Sequence, residues 1–93
     1  MWLEANNEVG KMTICIAKNT VSILQRYVVG KIKYRLNDTN IEFIIENGHM
    51  PLWRYRINKN VLLSDFNNGK SSTALAFEIY NCYKSYITKL FFK

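Results

Sequence analysis

The sequence predicts an α+β fold in which an antiparallel β-meander of three to five strands is packed by one long C-terminal α-helix. Two observations carry this prediction. Short segments between residues 12 and 58 alternate apolar and polar side chains and are separated by turn-forming residues. Residues 71–91 instead place apolar side chains at helical spacing. Strands joined by short turns pair antiparallel, and a helix with a wide apolar face covers one side of such a sheet.

The length of 93 residues suits a single domain, which we expect to span residues 1–93. Residues 1–11 carry turn-forming and charged side chains, so we expect a loose N-terminal arm there. The sheet is expected over residues 12–58 and the helix over residues 71–91.

A first strand is predicted at Met12–Ala17, where apolar and polar side chains alternate. Lys18 and Asn19 then fit a two-residue hairpin turn, although Asn19 also fits the cap of a short helix over residues 20–27. The β-branched side chains of residues 20–27 favour a strand over that helix.

The middle of the chain predicts three strands, at residues 28–36, 41–46 and 52–57, separated by turns. One face of the resulting meander is apolar and is expected to lie under the helix; it comprises Val28, Ile32, Tyr34, Leu36, Ile41, Phe43, Ile45, Trp53, Tyr55 and Ile57. The opposite face, called the outer face from here on, is rich in charged residues.

The C-terminal helix, capped by Ser71 or Ser72, has an apolar face that covers roughly half of its surface. This face comprises Leu75, Ala76, Ile79, Tyr80, Cys82, Tyr83, Tyr86, Ile87, Leu90 and Phe91. Such breadth exceeds what a small sheet covers, and two phenylalanines interrupt the polar side of the helix. We therefore interpret the aromatic residues at the margins as candidate partner-binding residues: Phe77, Tyr80, Phe91 and Phe92.

The net charge of +6 and the pI of about 9.5 indicate a polyanionic partner. Five cations are predicted to share the outer face: Lys31, Lys33, Arg35, Arg54 and Arg56. Such rows of cations can follow a phosphate backbone. The alternative is a solvated face with a structural role, in which Glu42 and Glu46 form cross-strand pairs with these cations.

Residues 64–71 read Ser-Asp-Phe-Asn-Asn-Gly-Lys-Ser. They resemble the phosphate-binding loop of P-loop nucleotide hydrolases at Gly69, Lys70 and Ser71, with Ser64 in place of the first glycine. That family needs a mostly parallel sheet, for which this chain has no room. The resemblance therefore implies at most one anion at the helix start beside Lys70, and the alternative is a turn with a helix cap. Three strands followed by a helix with one lysine at its start are also similar to the second half of a double-stranded-RNA-binding domain, which carries two or more lysines there.

Catalytic signals are weak, and we expect neither enzyme activity nor a cofactor or metal. His49 is the single histidine, it falls in a predicted turn, and its neighbours lack metal-ligand spacing. Cys15 and Cys82 are interpreted as reduced core residues, since two cysteines are too few for a disulfide scaffold. The sequence has no signal-peptide pattern and no apolar run of the ~18–20 residues that span a membrane. We expect a cytoplasmic protein without membrane contact.

Two hypotheses of function remain. The first is a small non-enzymatic protein that binds nucleic acid or a ribonucleoprotein through the positively charged outer face, assisted by Lys70. The alternative is a protein–protein interaction module that uses the aromatic residues at the helix margins. Such a module would be an adaptor, an oligomer subunit or an inhibitor of the kind encoded by phages and mobile elements.

Overall fold

An antiparallel three-stranded sheet and three helices make up the fold. The computed structural model describes the backbone of residues 2–91 and the side chains of residues 10–91. The elements are, in chain order, α1 (Trp2–Leu24), β1 (Lys31–Leu36), β2 (Asn40–Glu46), β3 (Trp53–Asn58), α2 (Lys59–Asn67) and α3 (Ser72–Phe91). The sheet has the strand order β1-β2-β3, with both pairs antiparallel. The predicted α+β fold, a meander with a long C-terminal helix, is confirmed, whereas α1 and α2 are additional helices.

The register of the sheet follows from the alternation in the sequence. Arg35 pairs with Glu42 across the first ladder, and Glu42 pairs with Arg56 across the second. Since neighbouring side chains on a strand point to opposite faces, this register places the apolar residues of all three strands on one side, with the exception of Ile44. Asn37 fixes the β1–β2 turn, because its Oδ1 atom accepts hydrogen bonds from the backbone amides of Thr39 and Asn40 at 2.9 and 2.7 Å.

The helix α3 lies against the inner face of the sheet and contacts Trp53 and Tyr55 of β3 through its side chains. Ser71 caps it, since the Ser71 Oγ atom accepts a hydrogen bond from the Ala74 amide at 3.1 Å. Leu75, Ala76, Ile79 and Tyr83 are buried along its inner side. The indole ring of Trp53 lies 5.3 Å from the ring of Tyr83, measured between centroids, and joins β3 to the helix. The apolar face is only partly covered, because Cys82, Leu90 and Phe91 remain exposed.

The predicted strand at Met12–Ala17 is wrong, because these residues lie within α1. The hairpin turn at residues 18 and 19 and the strand favoured for residues 20–27 are also wrong, since α1 continues to Leu24. The buried residues repeat at helical rather than alternate spacing: Thr13, Ile16, Ala17, Thr20 and Leu24. Two threonines and an alanine make up much of this buried side. The spacing of large apolar residues in the segment therefore does not indicate a helix.

The loose arm expected over residues 1–11 is replaced by the start of α1 at Trp2. Since the single proline of the chain is Pro51, no proline interrupts a helix in this segment. The sheet consequently spans residues 31–58 rather than 12–58. Packing of α1 is chiefly against α3 and also against β1, so two long helices share the inner face.

The cysteines expected in the core are both free and exposed. Cys15 lies on α1 outside the buried set that contains Thr13 and Ile16, and Cys82 precedes the buried Tyr83 on α3. Across residues 2–91, no helix is long and apolar enough to cross a membrane.

Candidate nucleic-acid interface

Five of the six predicted nucleic-acid-binding cations lie together on the outer face. β1 contributes Lys31, Lys33 and Arg35, β3 contributes Arg54 and Arg56, and all five are exposed. The pairing register explains this arrangement, because every second residue of both edge strands projects to the same side.

The spacing of these side chains follows from sheet geometry. Residues two apart on a strand lie ~6.6–6.8 Å apart, so each edge strand carries a row of cations at that interval. The middle strand separates the two rows by roughly 10 Å. Between the rows β2 presents a central line of three residues, Glu42, Ile44 and Glu46.

Glu42 is the common partner of the three arginines. Its Oε1 atom lies 3.0 Å from Arg35 Nη2 and 3.8 Å from Arg54 Nε, and its Oε2 atom lies 2.9 Å from Arg56 Nη2. Arg56 also donates from Nε to Oε2 at 3.2 Å, so this guanidinium binds the carboxylate through two donors. The Glu42 side chain is only 3% exposed, whereas the arginine side chains remain 54–66% exposed. The arginines therefore cover the carboxylate and still face solvent themselves.

The electrostatics of this cluster favour an ionised Glu42. The hydrogen bond from Arg56 lowers the pKa of the Glu42 carboxyl, assisted by the charges of Arg35, Arg56 and Arg54 and opposed by burial. Glu42 carries one negative charge beneath three positive ones, so it does not neutralise the cluster. A guanidinium has five N–H donors, and only some of them point to the carboxylate.

The two lysines of β1 are not held in this way. Neither Lys31 nor Lys33 forms an ion pair within 4 Å with any residue that the structure describes. Glu46 lies opposite Lys31 in the ladder, and Ile44 lies between Lys33 and Arg54. Five cations and two carboxylates give the outer face a formal charge of +3.

The outer face of the three strands carries no aromatic side chain at any position from residue 31 to 58. The aromatic residues of the strands, Tyr34, Phe43, Trp53 and Tyr55, all occupy the inner register. Proteins that bind single strands commonly stack bases on aromatic rings of an exposed surface. This face instead offers point charges and guanidinium donors, the groups that contact phosphates.

Lys70, the sixth predicted cation, lies apart from the other five. Its ammonium group contacts the carboxylate of Glu78 and lies 3.8 Å from Asp65 Oδ2. Glu78 Oε1 also accepts a hydrogen bond from the Tyr55 hydroxyl at 3.2 Å. Burial, the charge of Glu78 and this hydrogen bond raise the pKa of Tyr55 to about 12. The ammonium group of Lys70 is thus paired with two acidic side chains of the protein itself.

The segment that resembles a P-loop has a different structure. Residues 64–67 form the last turn of α2. The helix begins after Asn58, and the side chain of Asn58 caps it by accepting hydrogen bonds from the backbone amides of Asn60 and Val61. Gly69 follows with φ of +103°, a conformation that suits the end of a helix. The glycine and the serine of the motif therefore end one helix and cap the next, and no strand leads into the loop.

The predicted partner-binding residues form a second region, on α3. The rings of Phe77 and Tyr80 lie 5.4 and 6.2 Å from the ring of Tyr27, and Phe91 is exposed near the end of the helix. Phe92 lies outside the described residues. Sequence reasoning missed Lys84 and Val29, which border the same region. The spacing of Lys84 relative to the aromatic residues is visible in the sequence, whereas nothing in the sequence marks Val29.

The arrangement as a whole offers ionic contacts. Among the described residues, no three His, Cys, Asp or Glu side chains lie close enough to hold a metal ion. Comparison of the chain with protein-family models, with curated proteins and with solved structures finds no match, so its function has to be inferred from its own residues.

Proposed function

We propose that the protein binds nucleic acid through the outer face of its sheet, by contacts to the phosphate backbone that do not read sequence. The observation that carries the proposal is the presence of two rows of exposed cations on a sheet face that none of the described helices covers. Neutralised phosphates release counterions, and this release supplies most of the affinity of sequence-independent binders.

The contacts of Glu42 support the proposal. By binding three guanidinium groups at once, Glu42 restricts their conformations before any ligand arrives. Long side chains that are already ordered lose less entropy on binding. The remaining N–H donors of these arginines face solvent, where a phosphate can accept them in the bidentate geometry that arginine favours.

The two free lysines give the sharpest test. We expect a fluorescently labelled duplex of mixed sequence, made as DNA and as RNA, to bind with an affinity that falls steeply as salt rises. In the double variant Lys31→Gln/Lys33→Gln, the slope of log K against log salt should decrease by about 2, and affinity at 0.1 M salt should fall roughly 30-fold. Fluorescence anisotropy at several salt concentrations measures both quantities.

The matched control is Lys11→Gln/Lys18→Gln, which removes the same charge from the exposed side of α1. The control should lower affinity only slightly and leave the slope nearly unchanged, because those lysines lie away from the sheet. Absence of binding at 50 mM salt would overturn the proposal. Equal losses in the two double variants would show that net charge, and not the outer face, determines binding.

A further inference from the structure

A shallow apolar groove lies beside the C-terminal half of α3, away from the outer face. It has a volume of about 380 Å³. Its walls come from the α1–β1 connection, the β2–β3 turn and α3 itself. The residues that the argument uses are Tyr27, Val29, Tyr80, Lys84, Ile87 and Phe91.

The groove exposes apolar side chains that nothing else in the described chain covers. Val29 is 81% exposed, Phe91 65% and Tyr27 52%. Single exposed apolar residues are ordinary, but three around one groove form a continuous patch. The contacts of Tyr27 with Phe77 and Tyr80 hold one wall in place, so the groove is formed before a ligand binds.

The wall that α3 contributes has a regular spacing. Of the residues that line the groove, Tyr80, Lys84, Ile87 and Phe91 follow one another at intervals of four, three and four residues, and Phe77, three residues before Tyr80, continues this spacing beyond the groove. This is the spacing at which one helix presents a seam to another. At 1.5 Å per residue the seam is ~21 Å long, which matches a partner helix of about four turns.

Charge decides what kind of helix fits the groove. Among the described residues that line the groove, Lys84 is the one that carries a charge, and it occupies the middle of the seam. A second copy of the chain, paired along the same seam in either direction, would place two Lys84 ammonium groups against each other. Like charges in an apolar contact are costly, so the seam disfavours self-association. A carboxylate at the matching position of another helix would pair with Lys84 instead.

We propose that this groove binds an amphipathic helix of another protein, which inserts apolar side chains beside Phe91 and Val29 and places an acidic side chain opposite Lys84. Helix-in-groove recognition of this kind relies on apolar anchors three to four residues apart. The charge at the centre of the seam fixes the register of the bound helix, as a polar residue does in a coiled coil. This interaction is separate from nucleic-acid binding on the outer face.

Two synthetic peptides of about 18 residues test the proposal. Both carry leucine at every seam position except the central one. At the central position and on the polar side, one peptide has glutamate and the other has lysine. Binding is measured by fluorescence anisotropy at 0.15 M salt. The acidic peptide should bind at least ~10-fold more tightly than the basic one. Lys84→Glu should weaken the acidic peptide by about 5- to 10-fold and strengthen the basic one.

Control variants separate the groove from general attraction to a basic protein. Lys18→Glu makes the same charge change on the exposed side of α1 and should alter peptide affinity less than twofold. Val29→Ser/Phe91→Ser should lower affinity by ~10-fold or more, because it removes the exposed anchors. Val61→Ser, at an exposed apolar position of α2, should have little effect.

Three outcomes would overturn the proposal. One is an equal effect of the charge reversals at Lys84 and Lys18, and another is an equal effect of the serine variants in the groove and on α2. The third is a wild-type dimer in light scattering that becomes a monomer when Val29 and Phe91 are both replaced by serine. The occupant of the groove would then be a second copy of the chain. Retention of duplex binding by that double variant separates a failure of this proposal from a failure of nucleic-acid binding.

Discussion

The two faces of β2 differ in what surrounds them. Ile41, Phe43 and Ile45 point inward and are at most 1% exposed, beneath the helices. Glu42 points outward and is buried as well, but under three arginine side chains that remain in water. One strand thus carries an apolar surface that the helices cover and a carboxylate that only solvent-exposed arginine side chains cover.

This difference separates the residues that stabilise the fold from those that we propose bind nucleic acid. Burial of apolar surface contributes about 25 cal/mol per Å², whereas ion pairs between exposed groups contribute little. Changes of charge on the outer face should therefore alter stability little, whereas loss of apolar side chains from the inner face should lower it strongly. Substitutions on either face of β2 test this separation.

The largest effect is expected for Phe43→Ala on the inner face. Phe43 is fully buried, and the substitution removes most of its side chain from the core. The expected cost is ~3–5 kcal/mol of the free energy of unfolding, a large part of the stability of a domain of this size. Urea denaturation followed by circular dichroism measures the loss.

The control for Phe43→Ala is the adjacent residue on the opposite face. Ile44 is half-buried between Lys33 and Arg54, so Ile44→Ala should cost only about 1 kcal/mol. Similar losses for the two substitutions would contradict the separation of the faces.

An intermediate effect is expected for Gly30→Ala, which disturbs both faces at once. Gly30 has a φ of +126°, and a Cβ atom there would lie 2.7 Å from the backbone oxygen of Glu46. Since backbone cannot yield as a flexible side chain does, the start of β1 or the end of β2 must shift. We expect a loss of about 2 kcal/mol, measured by the same urea denaturation.

Gly10→Ala is the matched control for Gly30→Ala. Gly10 lies within α1, and among the described atoms outside its own stretch of helix none lies within 4 Å of a Cβ added there. Alanine should stabilise the helix by ~0.5–1 kcal/mol, because it restricts the unfolded chain more than glycine does. A loss of stability in both variants would contradict this interpretation of Gly30.

The sheet and α3 were predictable because their patterns are unambiguous. In β3 apolar and polar residues alternate strictly, and in β2 they alternate except at Ile44; only a strand places such residues on separate faces. In α3 the buried residues Leu75, Ala76, Ile79 and Tyr83 recur at intervals of one, three and four residues, and a strand would divide them between its two faces.

The helix α1 was not predictable in the same way, because its buried side is partly polar. Thr13 and Thr20 are at most 1% exposed, and Thr20 satisfies its hydroxyl by donating to the Ile16 carbonyl oxygen at 2.7 Å. A threonine in such a position is indistinguishable in the sequence from one on the surface. Small side chains at Thr13, Ala17 and Ala76 suit the packing of α1 on α3, which no local pattern encodes.

The candidate interface was predictable only in part. The alternation of side chains along a strand, with a period of two residues, was enough to place five cations on one face. The separation of Lys70 depends on its ion pairs with Asp65 and Glu78, which the chain brings together only after folding. The position of Val29 beside the groove depends on tertiary packing alone, because Val29 belongs to a connecting segment that has no periodic pattern.

The smallest effect at neutral pH is expected for Glu42→Gln, which removes the charge under the arginines. Because the arginines hold the pKa of Glu42 below its ordinary value, the carboxylate stabilises the fold above about pH 4–5. This contribution is lost as the pH falls through the lowered pKa of the folded state.

The wild type should therefore be more stable than Glu42→Gln at pH 7, and the difference should vanish in acid, where Glu42 is protonated too. Urea midpoints measured from about pH 7 to about pH 2.5 follow the difference, with Asp38→Asn in an exposed turn as the control. A difference that stays constant across this range would mean that Glu42 contributes by its shape alone, and that the arginines are not organised by its charge.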